Sequence, residues 1–351
     1  MLQAAVTSAR EALAAGHHAA VVQALQPVLP ASVEPDGARA WCEAQTLLAH
    51  ACFGLARFEE SIAHGRKAAE GWHALGDGAG ACRARRLVAF SMTESGDHAG
   101  ALAAARAAFG VAEAFDLGFE ALQLIALMGS LYERLGAFEA GELLLLQGLS
   151  RAQDRREQPM TAHRCSALVT LLISAHEAQL RDGDTARAQA TAQRLATHSA
   201  RLSALGRNER NALHRAVQLS NIGAALAIGG RLDDGAAMLA QSVALCRAEG
   251  FGAVAMKALL RLAKIRLQQN LPDEAETAAD EFARWLDRHE HPQAREDLAG
   301  LRGAIAATRA RPAAARQPGD EPPQAKPRPD QEFDEADLLE RLALIEARAA
   351  R

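Results

Sequence analysis

The amino-acid sequence predicts an all-α fold built from helical hairpins, and three observations support this. Of the 351 residues, 49% are hydrophobic but only 4% are aromatic, and alanine, the best helix former, dominates the apolar positions. Runs in which Val, Ile, Thr and aromatic residues alternate are nearly absent, which argues against β-strands. A short turn pattern also recurs along the chain at a fixed spacing, as expected of a repeat array.

The turn pattern is clearest between Tyr132 and Leu149. An apolar run ends at Gly136, and a second apolar run begins two residues later at Phe138. The same arrangement recurs with spacings of 40, 40, 40, 47, 47 and 40 residues, with turn residues at Gly16, Ala56, Gly96, Gly136, Gly183, Gly230 and Asn270. Gly and Asn suit these positions because the end of a helix favours a residue that tolerates positive φ. Seven extra residues are about two helical turns, so the longer helices keep the same faces toward their neighbours.

These turns predict seven helical hairpins in order. The helix pairs are expected at 2–15 with 18–29, 37–54 with 58–74, 78–95 with 98–115, 118–135 with 138–153, 160–182 with 185–203, 208–228 with 232–248, and 252–269 with 272–288. A further helix over 292–309 starts with Pro292, a residue suited to the first helical position. We expect it to cap the array with a polar outer face.

The composition changes after the array. Residues 311–331 hold six of the twelve prolines and few apolar residues, which predicts a disordered linker. Residues 332–351 predict an amphipathic helix, with Leu338, Leu342 and Ile345 on one face and Leu339 beside them. A short helix of this kind needs a partner, so we expect it to dimerise, to dock on the array or to engage a second protein. The predicted domains are therefore 1–310, 311–331 and 332–351.

Charge and cysteine content narrow the classes of protein. The chain has 39 basic and 43 acidic residues, a net charge of −4, which gives no support for a nucleic-acid-binding surface. No window of 18 apolar residues predicts a membrane span, and Arg10 and Glu11 interrupt the apolar N-terminus where a signal peptide would be uncharged. The five cysteines lack CxxC spacing and are predicted to be buried thiols. We expect a cytoplasmic protein without membrane partners.

No motif predicts an enzyme. Glycine-rich nucleotide loops and the G-x-S-x-G nucleophile motif are absent from the sequence, so we expect neither catalysis nor a cofactor. The segment His289-Glu290-His291 offers two imidazoles, fewer side chains than a zinc site needs. We therefore expect no metal.

Two hairpins carry a fuller signature. Gly129 is followed by Tyr132 three residues later and by Gly136, and Gly223 is followed by Leu226 and Gly230 at the same offsets. This pattern resembles the tetratricopeptide repeat family over residues 1–310. The period of 40 is longer than the usual 34 and is similar to that of arrays in the N-terminal halves of some bacterial diguanylate cyclases. The resemblance implies a right-handed superhelical solenoid of about seven hairpins, with a concave groove lined by the first helix of each.

The resemblance also implies which residues line the groove. It maps them to Glu43, Thr46, His50, Phe53, Arg83, Arg86, Phe90, Thr93, Gln123, Ala126, Ser130, Glu133, Thr170, Ile173, Glu177, Leu180, Val217, Ser220, Ala224, Ala227, Lys257, Leu260, Lys264 and Leu267. Asn221, Lys257 and Arg261 together resemble part of the clamp with which some members grip a terminal carboxylate. Two further clamp positions fall at Ile173 and Glu177 and depart from the pattern. The predicted peptide-binding residues are Asn221, Lys257, Arg261, Lys264, Arg83 and Arg86; the alternative is a solvated basic helix face.

Two functions remain open from the sequence. One is a non-catalytic scaffold or regulatory adaptor that binds a protein or peptide partner in the groove. The other is a sensory input module of a bacterial signalling protein, because the diguanylate cyclases that the array resembles place such repeats before a catalytic domain. The chain up to Arg351 contains no cyclase motif. The second hypothesis therefore predicts a module that lacks its output domain.

Overall fold

A computed structural model describes residues 1–30, 37–156, 158–287 and 292–310. The predicted linker, the predicted C-terminal helix with Leu338, Leu339, Leu342 and Ile345, and the segment His289–His291 lie outside these residues. The helices are α1 (Leu2–Ala14), α2 (His18–Leu25), α3 (Ala38–Gly54), α4 (Phe58–Ala74), α5 (Gly78–Glu94), α6 (His98–Ala114), α7 (Gly118–Arg134), α8 (Phe138–Asp154), α9 (Gln158–Arg181), α10 (Thr185–Leu205), α11 (Ala212–Ile228), α12 (Leu232–Glu249), α13 (Gly252–Gln268), α14 (Pro272–Leu286) and α15 (Pro292–Ala310). Short 3₁₀ turns follow α2 and α10. No strand occurs in the described ranges.

The predicted all-α array of hairpins is confirmed. The helices follow one another in the predicted order from α1 to α14, and most boundaries agree to within a few residues. The main difference lies in α2, which ends at Leu25 and continues as a 3₁₀ turn that contains Pro27. Proline cannot donate the backbone hydrogen bond that a longer α-helix would require there.

The repeating unit of the array is one helix with its turn, which is half of the predicted hairpin period. From α3 to α8 each helix has 17 residues. Three residues join each of these helices to the next, and the middle one has positive φ.

Several of these turns share the same backbone hydrogen bonds. At Ala56, whose φ is 56°, the amide of Arg57 donates to the Cys52 carbonyl at 2.8 Å, and the Ala56 amide donates to Phe53 at 3.0 Å. This is the Schellman arrangement that ends many helices. The same bonds recur at Gly76, which lies between two hairpins, so turns within and between hairpins are built alike.

At three of the turns, the residue that caps the N-terminus of the next helix is an aspartate. The Asp77 carboxylate accepts a hydrogen bond from the Gly80 amide at 2.8 Å, and Asp97 accepts one from Gly100 at 2.9 Å. Asp184 caps α10 in the same way. A carboxylate at this position satisfies a free amide of the first turn and complements the helix dipole.

The fifth hairpin is the longest and explains the two longer spacings between turns. α9 has 24 residues, and α10 has 21 residues followed by a 3₁₀ turn. The added turns keep the apolar stripes in register, because Leu168 and Leu172 of α9 and Leu195 and Leu202 of α10 are all fully buried.

The described residues group into two compact units, residues 1–144 and the described residues from 145 to 310. In unit 1, one apolar cluster joins α1, α2 and α3, and another surrounds Trp72. In unit 2, a single cluster runs from Ala216 to Ile305 and includes Phe282 and Trp285. Helix α15 packs on α13 and α14 and leaves its other face exposed, as predicted for a cap. The division of the whole chain at residues 310 and 331 stays a prediction.

Helices α11 and α12 approach most closely at two glycines. A Cβ atom added to Gly223 would lie 2.8 Å from the Gly235 carbonyl oxygen, and one added to Gly235 would lie 2.7 Å from the Gly223 oxygen. Both distances are shorter than van der Waals contact. The small residues of the repeat signature therefore allow two backbones to touch.

None of the helices in the described part of the chain combines the length and the hydrophobicity that a membrane span requires.

Candidate functional site

The first helices of the hairpins present a recurring open face. Four positions of each first helix form this face, which we call the inner face. They lie 13, 10, 6 and 3 residues before the turn residue that follows the helix. The position six residues before the turn is solvent-exposed at His50, Phe90 and Ser130 in unit 1 and at Glu177 and Lys264 in unit 2. In the sixth hairpin this position is Ala224, which is buried. The predicted groove-lining residues therefore share an exposed row in each unit.

In unit 1 the inner face combines cations with an aromatic ring. Arg83, Arg86 and Phe90 all project from α5, and the Phe90 side chain is 39% exposed. Arg83 forms a loose ion pair with Glu120 of α7 at 3.8 Å and remains largely exposed. The exposed Phe90 ring therefore offers an apolar surface on the same helix as two guanidinium groups.

His50 of α3 adds an imidazole beside these cations. The protein surrounds much of the ring although one edge remains open to solvent, and this burial lowers the pKa of His50. The nearby Arg86 guanidinium lowers the pKa further. The imidazole is therefore neutral at pH 7, and Arg83 and Arg86 carry the positive charge of this surface.

Glu43, the acidic residue of the inner face in the second hairpin, already has a cationic partner. The Glu43 carboxylate accepts a hydrogen bond from Arg10 of α1 at 2.9 Å. The centre of the inner face of unit 1 is therefore cationic and partly apolar. Such a surface can hold carboxylates through arginine forks and an apolar side chain against the exposed ring.

In unit 2 two of the predicted binding residues lie inside the packing. Asn221 is 3% exposed and Arg261 is 9% exposed. Arg261 Nη1 donates to the Asn221 side-chain oxygen at 3.2 Å and to Ser220 Oγ at 3.0 Å. Asn221 Nδ2 donates to Thr170 Oγ1 at 2.8 Å and to Ser166 Oγ at 3.1 Å. These five residues, which we call the polar ladder, join α9, α11 and α13.

The register explains why the polar ladder is buried. Asn221 and Arg261 lie nine residues before their turns, and the residues at that position in unit 1 are Leu47, Leu87 and Leu127, all buried. The position therefore faces the neighbouring first helix rather than solvent. The sequence analysis did not predict the buried roles of Ser166, Thr170 and Ser220. A signal was present, because Asn221 and Arg261 stand at a register that leucine occupies elsewhere.

The other predicted residues of unit 2 lie on the surface. Lys257 and Lys264 of α13 are exposed, and Glu177 of α9 is exposed as well. Ile173, at one of the two departing clamp positions, is 1% exposed. The structure thus separates the surface lysines from the buried Asn221 and Arg261. Ligand binding by this set stays a prediction.

The described residues show no constellation suited to metal binding. No group of three or more His, Cys, Asp or Glu side chains that could hold a metal ion occurs among them. The five cysteines are buried and unbridged, as predicted. Burial raises the pKa of Cys165 to about 12, so this thiol is protonated at neutral pH.

Comparisons with known proteins support the fold. No family model and no curated protein sequence matches the chain. Among solved structures, the apo form of RapI has a TM-score of 0.56 at 11% identity, over 82% of this chain and 99% of that one. A signal-transduction ATPase with a tetratricopeptide repeat sensor, PH0952 from Pyrococcus horikoshii, has a TM-score of 0.57 at 13% identity, over 87% of this chain and 44% of that one. The chain therefore shares a tetratricopeptide-like helical fold with these proteins.

Proposed function

We propose that the protein is a non-catalytic scaffold or regulatory adaptor that binds an extended peptide segment of a partner protein on the inner face of unit 1. The observation that carries the proposal is the exposed Phe90 ring on the same helix as Arg83 and Arg86. Aromatic and arginine side chains supply most of the binding energy in many protein interfaces. The partner segment would carry an apolar side chain near one or more carboxylates.

Physical features of the surrounding residues favour this ligand. Helices α3, α5 and α7 pack side by side, so their inner faces form one continuous surface across which an extended segment can lie. Because His50 is neutral at pH 7, attraction to a carboxylate depends on Arg83 and Arg86. Binding is therefore expected to weaken as salt rises.

The experiment selects ligands from a library of random peptides displayed on phage, with the full chain as bait. Synthetic copies of the enriched peptides are then titrated by fluorescence anisotropy against the full chain and two inner-face variants, Phe90→Ala and Arg86→Glu. We expect peptides that contain both apolar and acidic residues, and each variant should weaken their binding by about ten-fold or more.

Matched variants away from the inner face serve as controls. Arg66 of α4 and Leu75, which directly follows α4, are exposed but lie away from the first helices that form the inner face, so Arg66→Glu and Leu75→Ala should leave affinity unchanged. The proposal fails if the selected peptides bind the inner-face variants as tightly as the unaltered chain. It also fails if selection enriches no peptide at all.

A further inference from the structure

Arginines gather at one end of the fifth hairpin, in unit 2. Between residues 151 and 215 the sequence holds eleven arginines and six acidic residues, although the whole chain has a net charge of −4. Many of them lie where α9 and α11 begin and α10 ends. We define the basic edge as the exposed or partly exposed Arg156, Arg201, Arg207, Arg210 and Arg215.

Contacts between the helices bring the elements that carry these arginines together. The ring of His163 on α9 lies 4.8 Å from the ring of His214 on α11. The Cys165 thiol of α9 donates a hydrogen bond to the His198 carbonyl of α10 at 3.3 Å, so the end of α10 lies beside the same turns. The beginnings of α9 and α11 therefore meet here, and their helix dipoles add to the positive potential.

One acidic residue of the edge, Glu209, is used locally. The Glu209 carboxylate accepts a hydrogen bond from the Asn211 amide at 2.8 Å and lies 3.9 Å from the His214 ring. Asn211 in turn caps α11 by accepting a hydrogen bond from the His214 amide at 3.0 Å. Glu209 therefore supports the start of α11, while Arg207 and Arg210 on either side of it point their charge toward solvent.

A buried arginine lies beneath this surface. Arg164 of α9 is 1% exposed, and its Nε and Nη1 atoms have no hydrogen-bond partner among the residues that the structure describes. Burial lowers the pKa of Arg164 to about 10, so the guanidinium is still charged at neutral pH. A desolvated cation is costly unless an anion approaches it, and Arg164 directly follows His163, which contacts His214 at the start of α11.

We propose that the basic edge binds the acidic segment 330–337 of the same chain. This segment contains five carboxylates within eight residues: Asp330, Glu332, Asp334, Glu335 and Asp337. Arginine is suited to such a partner because its planar fork can hold a carboxylate through two parallel hydrogen bonds. The chain thus supplies a local excess of negative charge that complements the local excess of positive charge.

The length of chain after α15 is sufficient for this contact. Contacts link α15 to α13, α13 to α11 and α11 to α9, so the basic edge is about three helix spacings, or roughly 30 Å, from α15 across the helices. Even if Ala310 lies at the far end of a 19-residue helix, the added length is about 28 Å. The diagonal is then about 40 Å, whereas the segment from Ala310 to Asp330 can span at most about 70 Å.

The experiment measures energy transfer between two dyes on the full chain. Cysteines introduced by Ser203→Cys, on exposed α10, and Ala347→Cys carry the dyes, and labelling is selective because the native cysteines are buried. We expect efficient transfer at about 50 mM salt and a clear fall by about 500 mM, where exposed charges are screened. Triple reversal Arg207→Glu/Arg210→Glu/Arg215→Glu should reduce the docked fraction about ten-fold.

Two controls make the test specific. Reversal of exposed cations elsewhere in unit 2, Arg181→Glu/Arg284→Glu/Arg295→Glu, should leave transfer unchanged. Reversal of the acidic segment by Asp334→Arg/Glu335→Arg/Asp337→Arg should abolish transfer, and combining it with the edge reversal should restore transfer. Rescue of this kind cannot come from a variant that merely misfolds.

Three results would overturn the inference. One is equal transfer in the unaltered chain and the edge variant. Another is an equal loss in the control variant, which would place the segment on another surface. The last is transfer between singly labelled chains in a mixture, which would assign the contact to a second copy.

Discussion

Arg261 donates a hydrogen bond to the side-chain oxygen of Asn221 at 3.2 Å, at a register where unit 1 has the buried leucines Leu47, Leu87 and Leu127. The two units therefore fill the same register with opposite chemistry. In unit 2, directional hydrogen bonds replace apolar contacts between successive first helices. Such bonds fix the relative position of α11 and α13 more narrowly than dispersion contacts do.

Removing Asn221 should destabilise the protein strongly. Asn221→Leu leaves the Arg261 guanidinium and the hydroxyl of Thr170 without this buried partner, so the free energy of unfolding should fall by about 2–3 kcal/mol. Urea unfolding followed by circular dichroism measures the change. A loss below about 0.5 kcal/mol would contradict the structural role of the polar ladder.

The double variant Asn221→Leu/Arg261→Leu provides the control for this prediction. It copies the leucine layer of unit 1, as formed by Leu87 and Leu127, and leaves neither member of the pair unsatisfied. It should be less destabilised than the sum of the two single variants, by about 1–2 kcal/mol. Strict additivity would show that the two side chains do not act together.

The turn residue Ala56 should be improved by glycine. Ala56 has a φ of 56°, a left-handed conformation that strains a residue with a Cβ atom. Ala56→Gly should therefore raise the free energy of unfolding by about 0.5–1 kcal/mol. The reverse change, Gly96→Ala, should lower it by a similar amount, because no atom lies within 4 Å of the added Cβ and only the backbone strain remains. Equal stabilities would refute this account of the turns.

The contact between α11 and α12 should not tolerate a methyl group. Gly223→Ala would place a Cβ atom 2.8 Å from a backbone oxygen that cannot move independently of α12. We expect a loss of about 2–4 kcal/mol, read from thermal and urea unfolding. Gly110→Ala is the matched control, since nothing lies within 4 Å of its added Cβ, and it should stabilise α6 by about 0.5–1 kcal/mol. Tolerance at Gly223 would mean that the helices separate easily.

Stability should decline at alkaline pH through Cys165. Burial raises the pKa of this thiol from 9.0 to about 12, so the folded chain holds its proton more tightly than the unfolded chain. The stabilising difference is fully present below pH 9 and is lost as pH rises toward 12, with a slope of up to about 1.4 kcal/mol per pH unit. Cys165→Ala should flatten this slope between about pH 9 and 11, measured by urea unfolding. An unchanged slope would assign the alkaline sensitivity to other groups.

The hairpins could be predicted because their turns carry a local chemical signal. A glycine or asparagine that ends one helix is visible in the sequence, and the resulting spacing located the helices to within a few residues. The shorter unit of one helix and its turn was missed because some turns between hairpins carry Asp116 or Arg156 at the left-handed position. Those residues adopt positive φ only because the surrounding helices hold them there.

The inner face could be predicted only in part. Exposure at His50, Phe90 and Lys264 follows from helical periodicity, which the sequence contains. The burial of Asn221 and Arg261 depends on the angle at which neighbouring helices pack, and one helix alone does not determine that angle. Because Asn221 and Arg261 are polar, the sequence also suggested that they lie on the surface. In the structure they bond to each other instead.

The identical helix–turn units have a consequence for how such a chain can grow. Duplication of a whole hairpin, for example the segment 78–117 with α5 and α6, would add one complete pair of helices between two turns that already have the same backbone. Duplication of a single helix with its turn would instead reverse the direction of every later helix and turn outer faces inward. We therefore expect the number of helices in such arrays to change by whole hairpins, two helices at a time.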